Sequence, residues 1–593
     1  MAEASRTPLS RRDTVVILIL TLVGVGLPAT LVVAAGGVGL PTFDDWVYMR
    51  GADHLFDSAG MHIPGHTAAS IGQLVTVQPF LWLFAGAQSA YTVYGLTMTL
   101  IALVATYLLA RRFVGVGSAT LVVLLLEIVP GFARISASFM TDVPAFSFIA
   151  LCLLLGTISI QGEGRRTFFL YASLGVGLLA LSIREFAIAA PLAVLIVSWA
   201  RAERRERAVV AVATGSFALG LALVFAAASM SSRGLPATAG EFGKLILIGP
   251  AFTTLGAVLL PALALHVGRR LESFRAMWVV LGALVVGVVL VMPYGPLLGN
   301  LWMTNGSIGN ALLSGARATV IGVPAWGISQ QLALFAGTLL AASLFRSIAH
   351  GATQLRGTSS RTSLILRSAR TDSALLMIFL ALTSVELVVF SAIGEILDRY
   401  LFPLVPAAAI LLVGVRQPAI QLGRSHAASH AAIAWLGASA LVIALNSFAY
   451  DAARYRAGES AMSMGFSAET IDAGYEWVGY HSAGVTPNAD HRSAETWYYE
   501  LLPASPPCAV VSNDALADPS MKLISVDLSA YRQYLFFGPP EPLYFYRVVS
   551  GGCPGAISAA GSKNSGSLAA GPPTRAGYTS LMLRGRASRE AIP

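Results

Sequence analysis

Charge is what this sequence has least of. Asp, Glu, Lys and Arg together make up 12% of its 593 residues, about half the share of an ordinary soluble domain. Lysine is nearly missing: Lys244, Lys522 and Lys563 are the only three. Cysteine is as rare, with three residues, which excludes a small disulfide-framed fold. Neither a GxxxxGK[ST] loop nor a strand-borne GxGxxG is present, so the common signatures of a nucleotide-phosphate cradle are missing. With 55% hydrophobic residues and a mean hydropathy of +0.69, so little charge cannot keep 62.1 kDa in water. Disordered and fibrous classes fall away, and a polytopic α-helical membrane protein remains. The net charge of +8 does not imply a nucleic-acid partner, because the basic residues sit in short clusters between apolar runs and no nucleic-acid motif accompanies them. Few lysines beside abundant Ala, Gly and Val fit the coding bias of a GC-rich bacterium.

A bilayer core of about 30 Å takes roughly 20 apolar residues in helical form. Such runs lie near 14–35, 90–110, 115–132, 143–160, 168–182, 186–200, 208–229, 247–267, 276–295, 327–345, 373–394, 400–415 and 431–450. Two of them are short and closely joined, so 11–13 transmembrane helices are expected. The first run is long enough to span and no small-residue cleavage site follows it, so it reads as a retained helix. Every second loop is rich in arginine: Arg111 and Arg112; Arg165 and Arg166; Arg201, Arg204, Arg205 and Arg207; Arg269, Arg270 and Arg275; the 346–370 stretch; then Arg416 and Arg424. The alternate loops hold mostly single basic residues. This is the positive-inside pattern, and it predicts a cytoplasmic N-terminus and an extracytoplasmic segment after Tyr450. Residues 1–450 thus read as a transmembrane module and 451–593 as a compact extracytoplasmic α/β domain, with a flexible Gly/Ser/Ala/Pro-rich stretch near 559–574. Cys508 and Cys553 both fall in that outer segment, where a disulfide is expected.

The polar residues of interest share one side. The first outer loop, 36–89, contains Phe43-Asp44-Asp45-Trp46-Val47-Tyr48, then Asp53, His54, Asp57, His62 and His66. The second reads Phe139-Met140-Thr141-Asp142-Val143-Pro144, the third is only Ser182-Ile183-Arg184-Glu185, and a later one holds Asp398-Arg399-Tyr400. Charges at a membrane boundary are costly to desolvate and tend to be paired or functional. An aspartate there can act as general base toward a hydroxyl, and arginines at the same level can hold a phosphate through charge-assisted hydrogen bonds. A sugar on a polyprenyl phosphate suits both, since its phosphate is already a leaving group. The histidines lack ligand spacing on a helix; the residues neither demand nor exclude a divalent cation. Glu127 and Glu386, inside apolar runs, read as helix–helix hydrogen-bonding groups.

These motifs resemble a family. The acidic pair followed by Trp-Val-Tyr resembles the first-loop signature of the GT-C membrane glycosyltransferases, in the branch of the protein O-mannosyltransferases and the lipid A aminoarabinose transferases. Met140 to Pro144 resembles the branch's second-loop acidic motif, Gln78-Pro79-Phe80-Leu81-Trp82 its Pro-aromatic entry to the second span, and Ile183-Arg184-Glu185 its short basic-acidic turn. Arg399-Tyr400-Leu401-Phe402-Pro403-Leu404-Val405-Pro406 is similar to its late Arg-Tyr segment, and Asp472-Ala473-Gly474-Tyr475-Glu476-Trp477 to the start of the outer domain in some bacterial members. The resemblance implies a GT-C-type bundle in a bacterial cytoplasmic membrane and inverting transfer of a sugar, arabinosyl, mannosyl or other, from a polyprenyl-phosphate donor to an envelope glycan, lipid or protein. It implies Asp44 as base, supported by Asp45, with Asp142 orienting the sugar or acceptor and Arg184 and Arg399 on the carrier phosphate. Trp46, Tyr48, Glu185 and Tyr400 are the expected substrate contacts.

Two other classes compete: a flippase for lipid-linked sugars, and a glycan polymerase or ligase of another membrane fold. A flippase needs a polar path through the bilayer, whereas the polar set here gathers on one face. A polymerase or ligase usually carries one large late loop, which this sequence lacks. Topology is the first quantity to measure. Reporter fusions after Tyr450 should read extracytoplasmic and fusions near Arg205 or Arg361 cytoplasmic; a cytoplasmic signal after Tyr450 removes every site expectation above.

Overall fold

A computed structural model describes residues 10–55, 70–162, 166–231, 247–267, 282, 296–298, 321–356, 373–393, 396–414, 423–482, 507–526, 529–534, 540–549 and 553. All belong to one compact unit, Met1–Cys553. The 559–574 stretch, Asp57, His62, His66 and nearly all of the 276–295 run lie outside the described residues.

The protein is mostly helical and reads as a multi-pass membrane protein. Among the described residues, eight helices are long and apolar enough to cross a membrane: Arg11–Ala35, Ser89–Arg111, Asp142–Gln161, Glu206–Ala226, Ile248–Leu265, Pro324–Leu344, Ala374–Ser391 and His426–Ser463. Four further apolar runs form shorter helices, Val116–Glu127, Arg166–Leu181, Ala189–Arg201 and Leu404–Gly414. The shortening has local causes. Pro130 has no N–H to extend the helix past Glu127. The turn at Ser182–Arg184 closes on the Ala180 carbonyl, which accepts from the amides of Ile183 (3.1 Å) and Arg184 (3.0 Å).

The two ends of the bundle differ in chemistry. At one end Ser10 caps the first helix through a capping box with Asp13, and the buried Asp13 carboxylate accepts from Tyr107 Oη and Arg111 Nε, both at 2.7 Å. These bonds join the first span to the second beside the basic loops. The opposite end gathers the acidic motifs and the C-terminal segment.

The helix Gly423–Ser463 continues through Tyr450 without a break. Beyond it lies a four-stranded sheet of β1 (Ile471–Asp472), β2 (Ala509–Ser512), β3 (Met521–Val526) and β4 (Tyr544–Val548), in the order β1-β2-β4-β3. β1 runs parallel to β2, with Ile471 opposite Ala509, and the other pairs are antiparallel. β2 is buried along its whole length, as expected of an interior strand covered on both faces. Cys508, at the start of β2, is bonded to Cys553, with 5.4 Å between the Cα atoms.

Between β1 and β2 the helix Tyr475–His481 packs on the helix Asp45–Asp53 of the first loop. Four charges hold this contact from within. Arg134 Nη2 lies 2.7 Å from Asp451 Oδ2; Asp451 Oδ1 lies 3.5 Å from Arg454 Nη2; and Arg454 Nη1 pairs with Glu476. Glu476 Oε1 in turn accepts from the Phe43 amide at 3.0 Å, and Arg50 donates to the Ser482 carbonyl at 2.7 Å. The contact is close: a Cβ on Gly479 would come within 2.3 Å of Trp46 Cε2. Gly479→Ala should therefore lower the melting temperature of the purified protein, by an overpacking cost of about 1–3 kcal/mol; an unchanged melting curve would show that this helix is free to move off the first loop.

Candidate functional site

Three outer segments are tied together before any charge is considered. The Gly72 amide donates to the Ser182 carbonyl (3.1 Å), joining the return of the first loop to the basic turn. Gln73 Nε2 donates to the Phe139 carbonyl (2.6 Å), joining the same segment to the second loop. The Phe139 amide donates to Asp45 Oδ2 at 2.9 Å, as do the Thr42 hydroxyl at 3.1 Å and the Thr42 amide at 3.4 Å. Asp45 is thus a knot between the first and second loops. It is 1% exposed, and burial pushes its carboxyl up from the ordinary aspartate range to about 8, although those donors pull the other way.

Asp142 opens the helix Asp142–Gln161, where a carboxylate is favoured by the helix dipole and Pro144 fits the first turn. Its carboxylate is 1% exposed and meets two arginines from different segments. Arg184 Nη2 stands 3.5 Å from Oδ2, and Arg399 Nε stands 3.6 Å from Oδ1. Both guanidiniums are buried, at 8% and 5% exposure. These are ion pairs at contact distance, longer than hydrogen bonds. Accordingly both oxygens of Asp142, Nε of Arg184, and Nε and Nη1 of Arg399 are buried without a hydrogen-bond partner. Buried polar atoms are nearly always partnered in a finished structure. Donors and acceptors from three loops are thus left for a polar ligand to partner.

The remaining expected residues divide. Asp44 is the N-cap of the helix Asp45–Asp53, and its Oδ1 accepts from the Tyr475 hydroxyl at 2.9 Å. Tyr48, one turn on, is buried in the electrostatic field of Arg184, Asp44, Arg399 and Asp142 together. The Tyr400 ring lies 5.8 Å from the Arg184 guanidinium and 5.5 Å from Phe186. Trp46 is buried, edge-on to Tyr475 at 5.7 Å, so it packs the first loop onto the C-terminal segment. Glu185 is exposed, while its neighbour Arg184 turns inward to Asp142. Asp53 accepts from Tyr91 Oη at 2.5 Å, a structural bond between the loop helix and the second span. Among the described residues, no group of three or more His, Cys, Asp or Glu side chains converges as a metal site. Sequence reasoning missed Arg134, Asp451, Arg454, Tyr475 and Glu476. Only the last two carried a signal, within Asp472-Ala473-Gly474-Tyr475-Glu476-Trp477.

Beside Arg399 opens an apolar groove. Leu401, Phe402 and Val405, in the turns that follow that arginine, line it together with Val258, Leu436 and Ile443, and Asp398 also borders it.

The knot at Asp45 has a pH signature. Its carboxyl titrates higher in the folded protein than in the unfolded chain, so between pH 3.8 and about 8 the folded state keeps a proton that the unfolded state releases. The stability this adds is full at the acid end and is lost as pH rises through about 8. The apparent melting temperature of the wild type should therefore fall more steeply from pH 5 to 8 than that of Asp45→Asn; parallel curves would show that Asp45 is ionised throughout.

No family model and no curated protein matches the sequence. Solved structures do. ArnT from Cupriavidus metallidurans in the apo state is similar with a TM-score of 0.37 and 13% identity, over 88% of this chain and 98% of that one. ArnT from the same organism bound to undecaprenyl phosphate gives 0.36 and 12% over the same shares. The archaeal oligosaccharyltransferase AglB from Archaeoglobus fulgidus, in complex with an inhibitory peptide and a dolichol-phosphate, gives 0.36 and 12%, over 81% of this chain and 64% of that one.

Proposed function

We propose that this chain is an inverting glycosyltransferase that moves a sugar from a polyprenyl-phosphate carrier to an envelope glycan, lipid or protein, at the extracytoplasmic face of a bacterial cytoplasmic membrane. One observation carries the reading. Arg184 and Arg399 are buried against a single carboxylate and keep N–H groups without partners, and an apolar groove is lined by Asp398 and Leu401, in the same turn as Arg399. A phosphate would take up those donors, and an isoprenoid tail would take up the groove. The arginines would then stabilise the charge that develops on the departing phosphate, often the largest catalytic contribution.

The acidic pair divides by environment. Asp45 keeps its proton at neutral pH and its Oδ2 is occupied by loop donors, so it holds the loop. Asp44 is the base. It takes the proton of the acceptor hydroxyl as the new bond to the anomeric carbon forms and the bond to phosphate oxygen breaks, with the electron pair leaving on the phosphate. Attack from the side opposite the phosphate inverts the anomeric centre. Asp142 is the internal counter-charge that offsets the repulsion between the two guanidiniums until the donor arrives, and it orients the sugar or acceptor. Tyr48 and Tyr400 stand near the same charges. A flippase reading finds less support, because Asp142, Arg184 and Arg399 form one cluster at helix ends and not a path along the spans.

The test is transfer from radiolabelled polyprenyl-phosphate pentoses and hexoses by purified protein. Asp44→Asn should lower the rate by about 10²–10⁴-fold while donor binding is kept. Arg184→Ala should weaken donor binding by about 10–150-fold, the worth of a charged hydrogen bond, and Arg184→Lys should recover part of it. Wild-type rates in Asp44→Asn, or unchanged donor affinity in Arg184→Ala, would overturn the assignment of those roles.

A further inference from the structure

Asp44 is not held by its own loop. As the N-cap of the helix Asp45–Asp53 it makes no side-chain capping bond. The hydrogen bond its carboxylate accepts comes instead from Tyr475, 431 residues along the chain. The residues around Tyr475 are fixed with unusual care. The Gly474 amide donates to Asp472 Oδ1 at 2.9 Å. Gly474 has φ +100°, and a Cβ there would fall 2.3 Å from Arg454 Nη1. Glu476, on the other side, is bound to both Arg454 and the Phe43 amide. The Tyr475 ring is buried against the edge of Trp46. The backbone is thus pinned on both sides of one phenol whose hydroxyl reaches the carboxylate proposed as base.

We propose that Tyr475 is a positioning residue for the reaction: it fixes the rotamer of Asp44 and stabilises its charged form. The inference rests on the reading of Asp44 as base. The titratable and charged groups that face Asp44 are Asp45 beside it, Tyr48 one turn on, Arg399 from the late loop and Tyr475 from the C-terminal segment. With Oδ1 engaged by the phenol, the acceptor proton passes to Oδ2. A hydrogen bond donated to a carboxylate favours its ionised state, and a fixed orientation keeps it in line with the acceptor hydroxyl. The C-terminal segment therefore completes the reaction centre itself, whatever part it takes in holding the acceptor.

Tyr475→Phe keeps the ring and removes the O–H. It should lower kcat by about 10–100-fold, leave the donor KM and the melting temperature unchanged, and move the acid limb of the pH–rate profile to higher pH. Replacement by 3-fluorotyrosine, a stronger donor in the same packing, should move that limb to lower pH. In an Asp44→Asn background, Tyr475→Phe should cost nothing further, whereas a packing role would cost the same in both backgrounds. A wild-type kcat and an unmoved acid limb in Tyr475→Phe, with Asp44→Asn still impaired, would overturn this inference and leave the proposed function standing. Full activity of Asp44→Asn would overturn both.

Discussion

The arrangement of this protein depends on a buried run of alternating charge, Arg134–Asp451–Arg454–Glu476. All four side chains are nearly inaccessible, and they come from a short helix before the second loop, from the end of the last long helix and from the C-terminal segment. Removing one member of such a run leaves an uncompensated charge, at a cost of about 3–5 kcal/mol. Its value lies in geometry. Arg134 also stacks on the Phe43 ring at 4.1 Å, and Glu476 bonds the Phe43 amide. Phe43 itself sits at φ +55°, a conformation that non-glycine residues seldom adopt without support. The strained residue comes directly before Asp44, so the charged run sets where the acidic pair points.

The second set of charges, Asp142 with Arg184 and Arg399, differs in the length of its pairs. The first run holds two short pairs, Arg134–Asp451 at 2.7 Å and Arg454–Glu476, beside one of 3.5 Å, whereas both pairs at Asp142 stand at 3.5 and 3.6 Å. Both sets keep buried atoms without hydrogen-bond partners. The short pairs fix the first run as a frame, and the looser set has contacts left to gain. Electrostatics held open in this way needs little reorganisation when charge appears on a substrate.

Much of this was legible in the sequence, for a physical reason in each case. Span positions follow from counting apolar residues, so the eight long helices lie close to the predicted runs. Helix lengths depend on local breaks such as Pro130 and the Ser182–Arg184 turn, and a run count does not weigh these. Asp142, Arg184 and Arg399 were legible because charges at a membrane boundary stand out against an apolar background. The pairing of Arg134 with Asp451 spans 317 residues and has no sequence signature. Trp46 was expected as a substrate contact, since its loop is polar; its cover comes from Tyr475 and Gly479, more than 400 residues away.

The bond between Glu476 and Phe43 has a consequence for biogenesis. The ribosome makes the acidic loop near the start of the chain, but the carboxylate that accepts from its backbone and the phenol that meets Asp44 are made more than 400 residues later. Until the last long helix and the segment after it are in place, Phe43 lacks its partner and Asp44 lacks its phenol. This end of the bundle is therefore completed last, and a truncated chain lacks the contacts that hold Phe43 and Asp44.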